Sequence, residues 1–237
     1  MLRFFRGSDA VSVLLAASVL LYSAWLTEFL LMAGPDPLHT YVSGLAALDM
    51  PHGALYRTTD LLAGICAIAA TALPLPGSPA RRPWVSAGWW AFGVFGAATV
   101  MDSRFPLSCR LVADRACYDR DAAGLAPVAH SVHATTSAVA TAAALAAMTA
   151  LTVAARRYGL WPALARHGHR ILLAQWAVNV WLMIATFSFM GWHINPWVGL
   201  AERLQELLLA AWTLLLAASL ARRHPCDHHR RPGVLGA

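Results

Sequence analysis

Two histidines three residues apart, His130 and His133, stand at the start of a long apolar run, HSVHATTSAVATAAALAAMTALTVAARR. On a helix, residues i and i+3 share a face, so the spacing predicts both imidazoles aimed at one point. Glu-x-x-His uses the same interval to present metal ligands inside helical bundles. Asp102 and His193 are the natural residues to complete the set. Three protein ligands and one open position form a catalytic zinc geometry, and zinc brings a bound water to a pKa of about 7. Asp60, Glu202 and Glu206 are then expected as general base or as hydrogen-bond partners of the ligands, with Ser103 beside Asp102 as a further catalytic candidate. Glu28, Arg57, Arg203 and Asn195 are expected to meet the polar groups of a ligand. The same residues also suit a polar ligand or transport site without chemistry, or a structural hydrogen-bond network.

The segments that must position them are strongly apolar. The chain has 237 residues, of which 58% are hydrophobic and 13% charged, with mean hydropathy +0.53. A soluble domain carries about a quarter charged residues, so the composition places the chain in the membrane class. A helix needs about 20 apolar residues to cross the hydrocarbon core. Six segments are read as spans: 10–34, 60–76 (short), 84–101, 128–154, 171–192 and 199–221. Proline, glycine and arginine pairs separate them. The first span is too long, and too acidic at its far end, for a cleavable signal peptide. Trp84, Trp89, Trp90, Trp192 and Trp197 stand near segment ends, as interfacial tryptophans do.

All basic residues are arginine. With the many alanines, that suggests a GC-rich genome of the actinobacterial type. The pI of 9.7 does not argue for nucleic acid, because the arginines lie between apolar segments and form no patch. An N-in, C-in orientation places twelve arginines inside and six outside, the bias expected of a bacterial inner-membrane protein. The acids give a second pattern: only Asp9 and Asp227 fall inside. The outer face therefore holds the carboxylates and the two longest loops, about 35–59 and 102–127. In this register every span offers a polar residue at one depth: Glu28, Asp60, Asp102 with Ser103, His130 with His133, His193 with Asn195, and Glu202 with Arg203 and Glu206. Ionisable groups near the apolar slab are costly and mark sites.

Cys109 and Cys117 share the second outer loop, where oxidising conditions favour a bridge. Cys66 reads as a small packing residue within a span, and Cys226 as a reduced thiol in the tail. RTTD (57–60) reads as a helix start capped by Thr58 or Thr59, with Arg57 as an interfacial anchor. Gln175 and Asn179 are expected to hydrogen-bond across helices, and Glu202 to favour a helix start through the macrodipole. The stretch 223–237 reads as a basic, disordered cytoplasmic tail. There is no phosphate-binding loop, dinucleotide fingerprint, G-x-S-x-G elbow, C-x-x-C pair or transporter-type repeat.

Four stretches, YVSGLAALDMPHGALYRTTDLLAG (41–64), MDSRFPLSC (101–109), HSVHATTS (130–137) and GLAERL (199–204), together resemble an uncharacterised bacterial family of six-span membrane proteins. The likeness runs over about 15–215 and implies fold and topology without an activity. More loosely, an aspartate ending one helix and paired histidines on another are similar to the CREST superfamily of membrane hydrolases. Its members have seven spans and three residues between their late histidines. That similarity implies a zinc centre on Asp102, His130 and His133.

The expectation is therefore an all-α, polytopic six-helix bundle over 1–222 with a polar pocket at the extracytoplasmic face. The function it supports is a metal-dependent hydrolase of lipid-like substrates. The alternatives are a transporter or receptor-like binder of a small polar or amphipathic ligand, and a non-enzymatic membrane scaffold.

Overall fold

The computed structural model describes residues 7–31, 36–73 and 82–221. The expected tail, Cys226 and residues 74–81 lie outside the described residues. Helix α1 is Gly7–Tyr22, followed by a 3-10 turn, Ser23–Thr27, and a short helix α2, Glu28–Leu31. A second 3-10 turn, Val42–Ala46, lies in the loop before α3, Gly53–Ala72. Then come α4 (Pro83–Arg104), α5 (Arg115–Ala122), α6 (Val128–Arg157), α7 (Pro162–Trp192) and α8 (Val198–Ala221).

The boundaries have local causes. Pro83 and Pro162 open α4 and α7, where the missing N–H has no intrahelical partner to lose. Asp114 caps α5 by accepting from the Ala116 N–H at 2.9 Å, and Asn195 Oδ1 accepts from the Val198 N–H at the start of α8. Several limits differ from those read in the sequence. The helix that carries the fifth span, 171–192, starts earlier, at Pro162, and takes in Arg166 and Arg170. The third helix begins at Gly53, not near Asp60. Thr58 and Thr59 are therefore inside it and bond back to the carbonyls of Ala54 and Leu55 instead of capping it.

Among the described residues, six long helices close a ring. α1 packs on α3, α3 on α4, α4 on α6, α6 on α7, α7 on α8, and α8 on α1. Among the described residues, five segments are long and apolar enough to cross a membrane: Ser8–Leu31, Pro83–Arg104, Val128–Arg157, Pro162–Trp192 and Val198–Ala221. α3 is the sixth member of the ring; its 20 residues include Arg57, Thr58, Thr59 and Asp60 in the second turn, which lowers its hydropathy.

Lipid tails are as apolar as leucine side chains, so helices in a bilayer associate by close packing and hydrogen bonds. Both devices are present. At the α3–α4 crossing a Cβ on Gly64 would come within 2.6 Å of the Gly96 carbonyl oxygen, and one on Gly96 within 2.9 Å of that of Gly64. Trp212, fully buried, donates its indole N–H to Thr152 Oγ1 at 3.0 Å and ties α8 to α6. Ser18 Oγ donates to the Ala63 carbonyl at 2.9 Å and ties α1 to α3. Among the described residues Gln175 and Asn179 are not seen to bridge helices as expected. Asn179 Nδ2 donates to the Gln175 carbonyl of the same helix.

Candidate functional site

Two apolar clusters divide the bundle by depth. The larger one contains Val11 and Leu15, Ala67 and Ala70, Phe92 and Phe95, Met148 and Leu151, and Trp212 and Leu216. The smaller one, at the end that carries the long loops, contains Trp25, Val42, Leu45, Met50, Tyr56 and Leu107. On α1, α3 and α4 a polar residue falls between the two. α1 runs from Leu15 through Tyr22 to Trp25, α3 from Tyr56 through Asp60 to Ala67, and α4 from Phe95 to Asp102 ahead of Leu107.

Tyr22 is the focus of this layer. Its hydroxyl lies within electrostatic reach of Glu206, Asp60, Asp102 and Glu202 together, and its ring stands edge-on to Phe95 at 5.6 Å. Glu206 in turn senses Glu202, Asp60, Arg203 and Glu28, and Asp60 senses Asp102. All five residues are half-buried. Among the described residues Glu206 Oε2 has no hydrogen-bond partner.

Arg203 acts on Glu202 and Glu206, and it is already engaged. Its Nε and Nη2 donate to Glu28 Oε1 and Oε2, each at 2.7 Å, in a pair only 5% and 4% exposed. Its Nη1 donates to the carbonyls of Thr40 and Gly199, and the guanidinium stands 5.8 Å over the Trp25 ring. The loop ahead of α3 is pinned by the same set. Glu202 Oε2 accepts from the Val42 N–H at 2.6 Å, a bond to a neighbouring loop and not the helix-start role expected. Asn195 Nδ2 donates to the His39 carbonyl at 2.7 Å. Arg57 Nη1 donates to the Ala46 carbonyl at 2.7 Å. Glu28, Arg57, Arg203 and Asn195, read in the sequence as ligand-binding, all spend polar atoms on protein partners. Ser103 turns its hydroxyl back to the Val100 carbonyl at 2.7 Å.

Near the loop end of α6, Asp102 accepts from Thr136 Oγ1 and, at 2.9 Å, from Ser137 Oγ. His133 Nδ1 stands 3.7 Å from Asp102 Oδ1 and closer, at 3.2 Å, to the Phe105 carbonyl. His130 is turned instead to the second outer loop. Its Nδ1 meets Ser108 Oγ at 3.0 Å, and its Nε2 is 3.9 Å from Asp121 Oδ1. The disulfide between Cys109 and Cys117 holds that loop, with Cα atoms 5.9 Å apart. Arg120 Nη2 contacts its sulfur on Cys109 at 3.4 Å.

His193 does not join the other two histidines. It ends α7 in the left-handed region, at φ 56°, and its exposed ring packs edge-on to Tyr118, 4.8 Å between centres. Among the described residues no group of three or more His, Cys, Asp or Glu side chains is placed to hold a metal ion. The donor set expected for zinc from Asp102, His130, His133 and His193 thus does not fit a three-ligand centre: one imidazole follows Asp102, one follows Ser108 and Asp121, and one lies apart.

Five contributors escaped the sequence reading. Tyr22 lies mid-run in an apolar segment, where a lone tyrosine reads as packing. Thr136 and Ser137 follow the histidines in HSVHATTS, and their spacing from His133 was the available signal. Ser108 and Asp121 come from a loop whose path only the fold reveals.

No curated protein and no solved structure matches the chain. A family model described as a protein of unknown function, DUF998, matches residues 15–219. A membrane-embedded helical chain matched over nearly its whole length belongs to that family, DUF998.

Proposed function

We propose that the chain is a six-span protein of the bacterial cytoplasmic membrane, N-in and C-in, whose extracytoplasmic end holds a chamber for a small or amphipathic ligand bearing an ammonium group. The charge balance of the polar layer carries this reading. Four carboxylates, Asp60, Asp102, Glu202 and Glu206, lie within reach of one tyrosine hydroxyl, while Glu28 already neutralises Arg203. Like charges gathered in a medium of low dielectric repel, and a bound cation relieves that repulsion. The rings of Tyr22 and Phe95 add faces that attract cations. Ionisable groups at such depth face the interior and mark ligand paths. A metal-dependent hydrolase would need the three-ligand set that the described side chains do not assemble; the binding reading needs none.

Thermal-shift titrations of the protein in lipid nanodiscs test this, with dodecylamine and 1-dodecanol as probes of equal tail length. A ligand of the folded state raises stability by RT ln(1 + [L]/Kd). The amine is expected to stabilise saturably and the alcohol far less. Glu206→Gln and Asp60→Asn should each weaken the amine about tenfold, or about 1.4 kcal/mol, and leave the alcohol unchanged. Equal shifts from amine and alcohol in the parent protein, or unaltered amine binding in both variants, would overturn the reading.

A further inference from the structure

Ser108, His130 and Asp121 form a chain of groups at the loop end of α6. Ser108 Oγ is 3.0 Å from His130 Nδ1, and His130 Nε2 is 3.9 Å from Asp121 Oδ1. The second outer loop, the first turn of α6 and the end of α5 each supply one member. The backbone N–H of Ser108 also points at His130 Nδ1, at 3.3 Å, and an N–H only donates. Nδ1 is therefore the lone-pair nitrogen, the Ser108 hydroxyl beside it is a donor, and the ring proton sits on Nε2, toward Asp121.

A hydroxyl donating to an imidazole lone pair, with a carboxylate beyond the opposite N–H, is the order of groups that turns serine into a nucleophile. The His130 ring is 1% exposed, and its Nε2 has no hydrogen-bond partner among the described residues. At 3.9 Å the Asp121 carboxylate is beyond hydrogen-bond range. Positive charge arising on the ring attracts it, and such bonds tighten in the working complex. Ser108 is only half-buried, so the reacting end of the chain is open while its base is shielded.

The surroundings suit acyl transfer. Arg120 Nη2 contacts Cys109 Sγ at 3.4 Å, and Ser108 Oγ lies 3.6 Å from the same sulfur, so a guanidinium and the hydroxyl flank one atom. A cation there stabilises the oxyanion that attack on a carbonyl creates. The Cys109–Cys117 bridge fixes the loop that carries both. Leu125 and Val128, 74% and 79% exposed, lie between Asp121 and His130 in the chain and offer apolar surface to an acyl group.

We propose that this chain of groups hydrolyses carboxylic esters of amphipathic molecules, with Ser108 as nucleophile, His130 as general base and Asp121 positioning the ring. Ser108 Oγ bonds to the carbonyl carbon as its proton passes to His130 Nδ1. The bond from that carbon to the alcohol oxygen breaks, and the alcohol leaves with the proton. Water then attacks the acyl-serine and gives a proton to Nδ1. The bond to Ser108 Oγ breaks, the proton returns to Oγ, and the carboxylic acid departs. The site shares no residue with the carboxylate chamber and stands without the ammonium reading.

A fluorophosphonate probe tests this on the unaltered protein in nanodiscs, because an activated serine displaces its fluoride and keeps the phosphonyl group. Peptide mapping should find the label on Ser108. With p-nitrophenyl butyrate as the ester probe, Ser108→Ala should abolish hydrolysis, and His130→Gln should lower both hydrolysis and labelling at least about 100-fold. Asp121→Asn should lower kcat and leave KM in place, with part of the loss recovered in Asp121→Glu. An unlabelled Ser108 in the parent protein, labelling unchanged in His130→Gln, or hydrolysis that survives Ser108→Ala overturns the proposal.

Discussion

Arg203 grips Glu28 across 175 positions of sequence through two parallel hydrogen bonds of 2.7 Å, with both side chains buried. The fork geometry of guanidinium and carboxylate makes such a pair directional as well as charged. It joins the far end of the first span to the first turns of α8, and its third nitrogen holds the Thr40 carbonyl of the intervening loop. Removing one partner leaves the other buried and uncompensated, which costs about 3–5 kcal/mol. Glu28→Gln should therefore lower the midpoint of thermal unfolding in detergent sharply. The double variant Glu28→Gln with Arg203→Met should recover part of the loss, since no charge remains stranded. A single variant that melts with the parent protein would remove the pair from any structural role.

Tyr41 ties the loop ahead of α3 to α7 by donating its hydroxyl to Thr186 Oγ1 at 3.0 Å. Burial pushes its pKa up from 10.0 to about 12, because the phenolate would lose hydration that the folded protein does not replace. In the unfolded chain the same group titrates near 10. Between pH 10 and 12 the unfolded state releases a proton that the folded state keeps. The stabilisation is thus complete below pH 10 and is lost as pH rises through 12. Unfolding midpoints measured across this window should fall with pH, and fall less steeply for Tyr41→Phe. Identical slopes for the two proteins would mean that the hydroxyl is already free of the fold.

The Cys109–Cys117 bridge closes a ring over a sequence separation of 8, for which chain entropy gives at most about 2.5 kcal/mol. Its effect should be local. The bridge fixes Ser108, and through it the acceptor nitrogen of His130. Peptide mapping without reductant should recover 109 and 117 joined. In Cys109→Ser, hydrogen exchange should rise over 105–126 while the rest of the bundle keeps its protection. Uniform loss of protection across all helices would contradict a local role.

The helical ring and the bridged loop could be read from the sequence because each rests on local pattern: apolar length for the spans, and two cysteines in one loop for the bridge. Depth was legible in part. Counting residues put Glu28, Asp60, Asp102 and Glu202 at one level; Asp60, Asp102 and Glu202 all act on Tyr22, whereas Glu28 lies past Trp25, paired with Arg203. Direction was not legible. His130 and His133 occupy one face, yet Ser108 draws one ring outward and the Phe105 carbonyl draws the other toward α4. Those partners come from loop geometry that periodicity does not encode. His193 was placed by depth alone, and its left-handed backbone turns it toward Tyr118. Arg57 and Asn195 looked free in sequence because the carbonyls they serve belong to loops with no regular pattern.

Helix α3 decides whether the chain crosses the membrane five times or six. Its 20 residues span about 30 Å at 1.5 Å per residue, enough for the hydrocarbon core. Its Arg57 donates to the Ala46 carbonyl, so the polar first turns can sit at the interface while Ala63, Ala67 and Ala70 pack in the core. It also completes the ring by packing on both α1 and α4. Reporter fusions at Asp49 and at Arg82 bracket it. Six spans with the N-terminus inside place Asp49 and Asp114 outside, and Arg82 and Gly159 inside. Gly159 is the informative inner position because α6 ends at Arg157 and α7 begins at Pro162, whereas Arg166 lies within a helix. If Asp49 and Arg82 report the same side, α3 is a re-entrant or surface helix and the six-span reading is lost. If all four positions report with reversed sense, the spans hold, and it is the arginine-based orientation that fails.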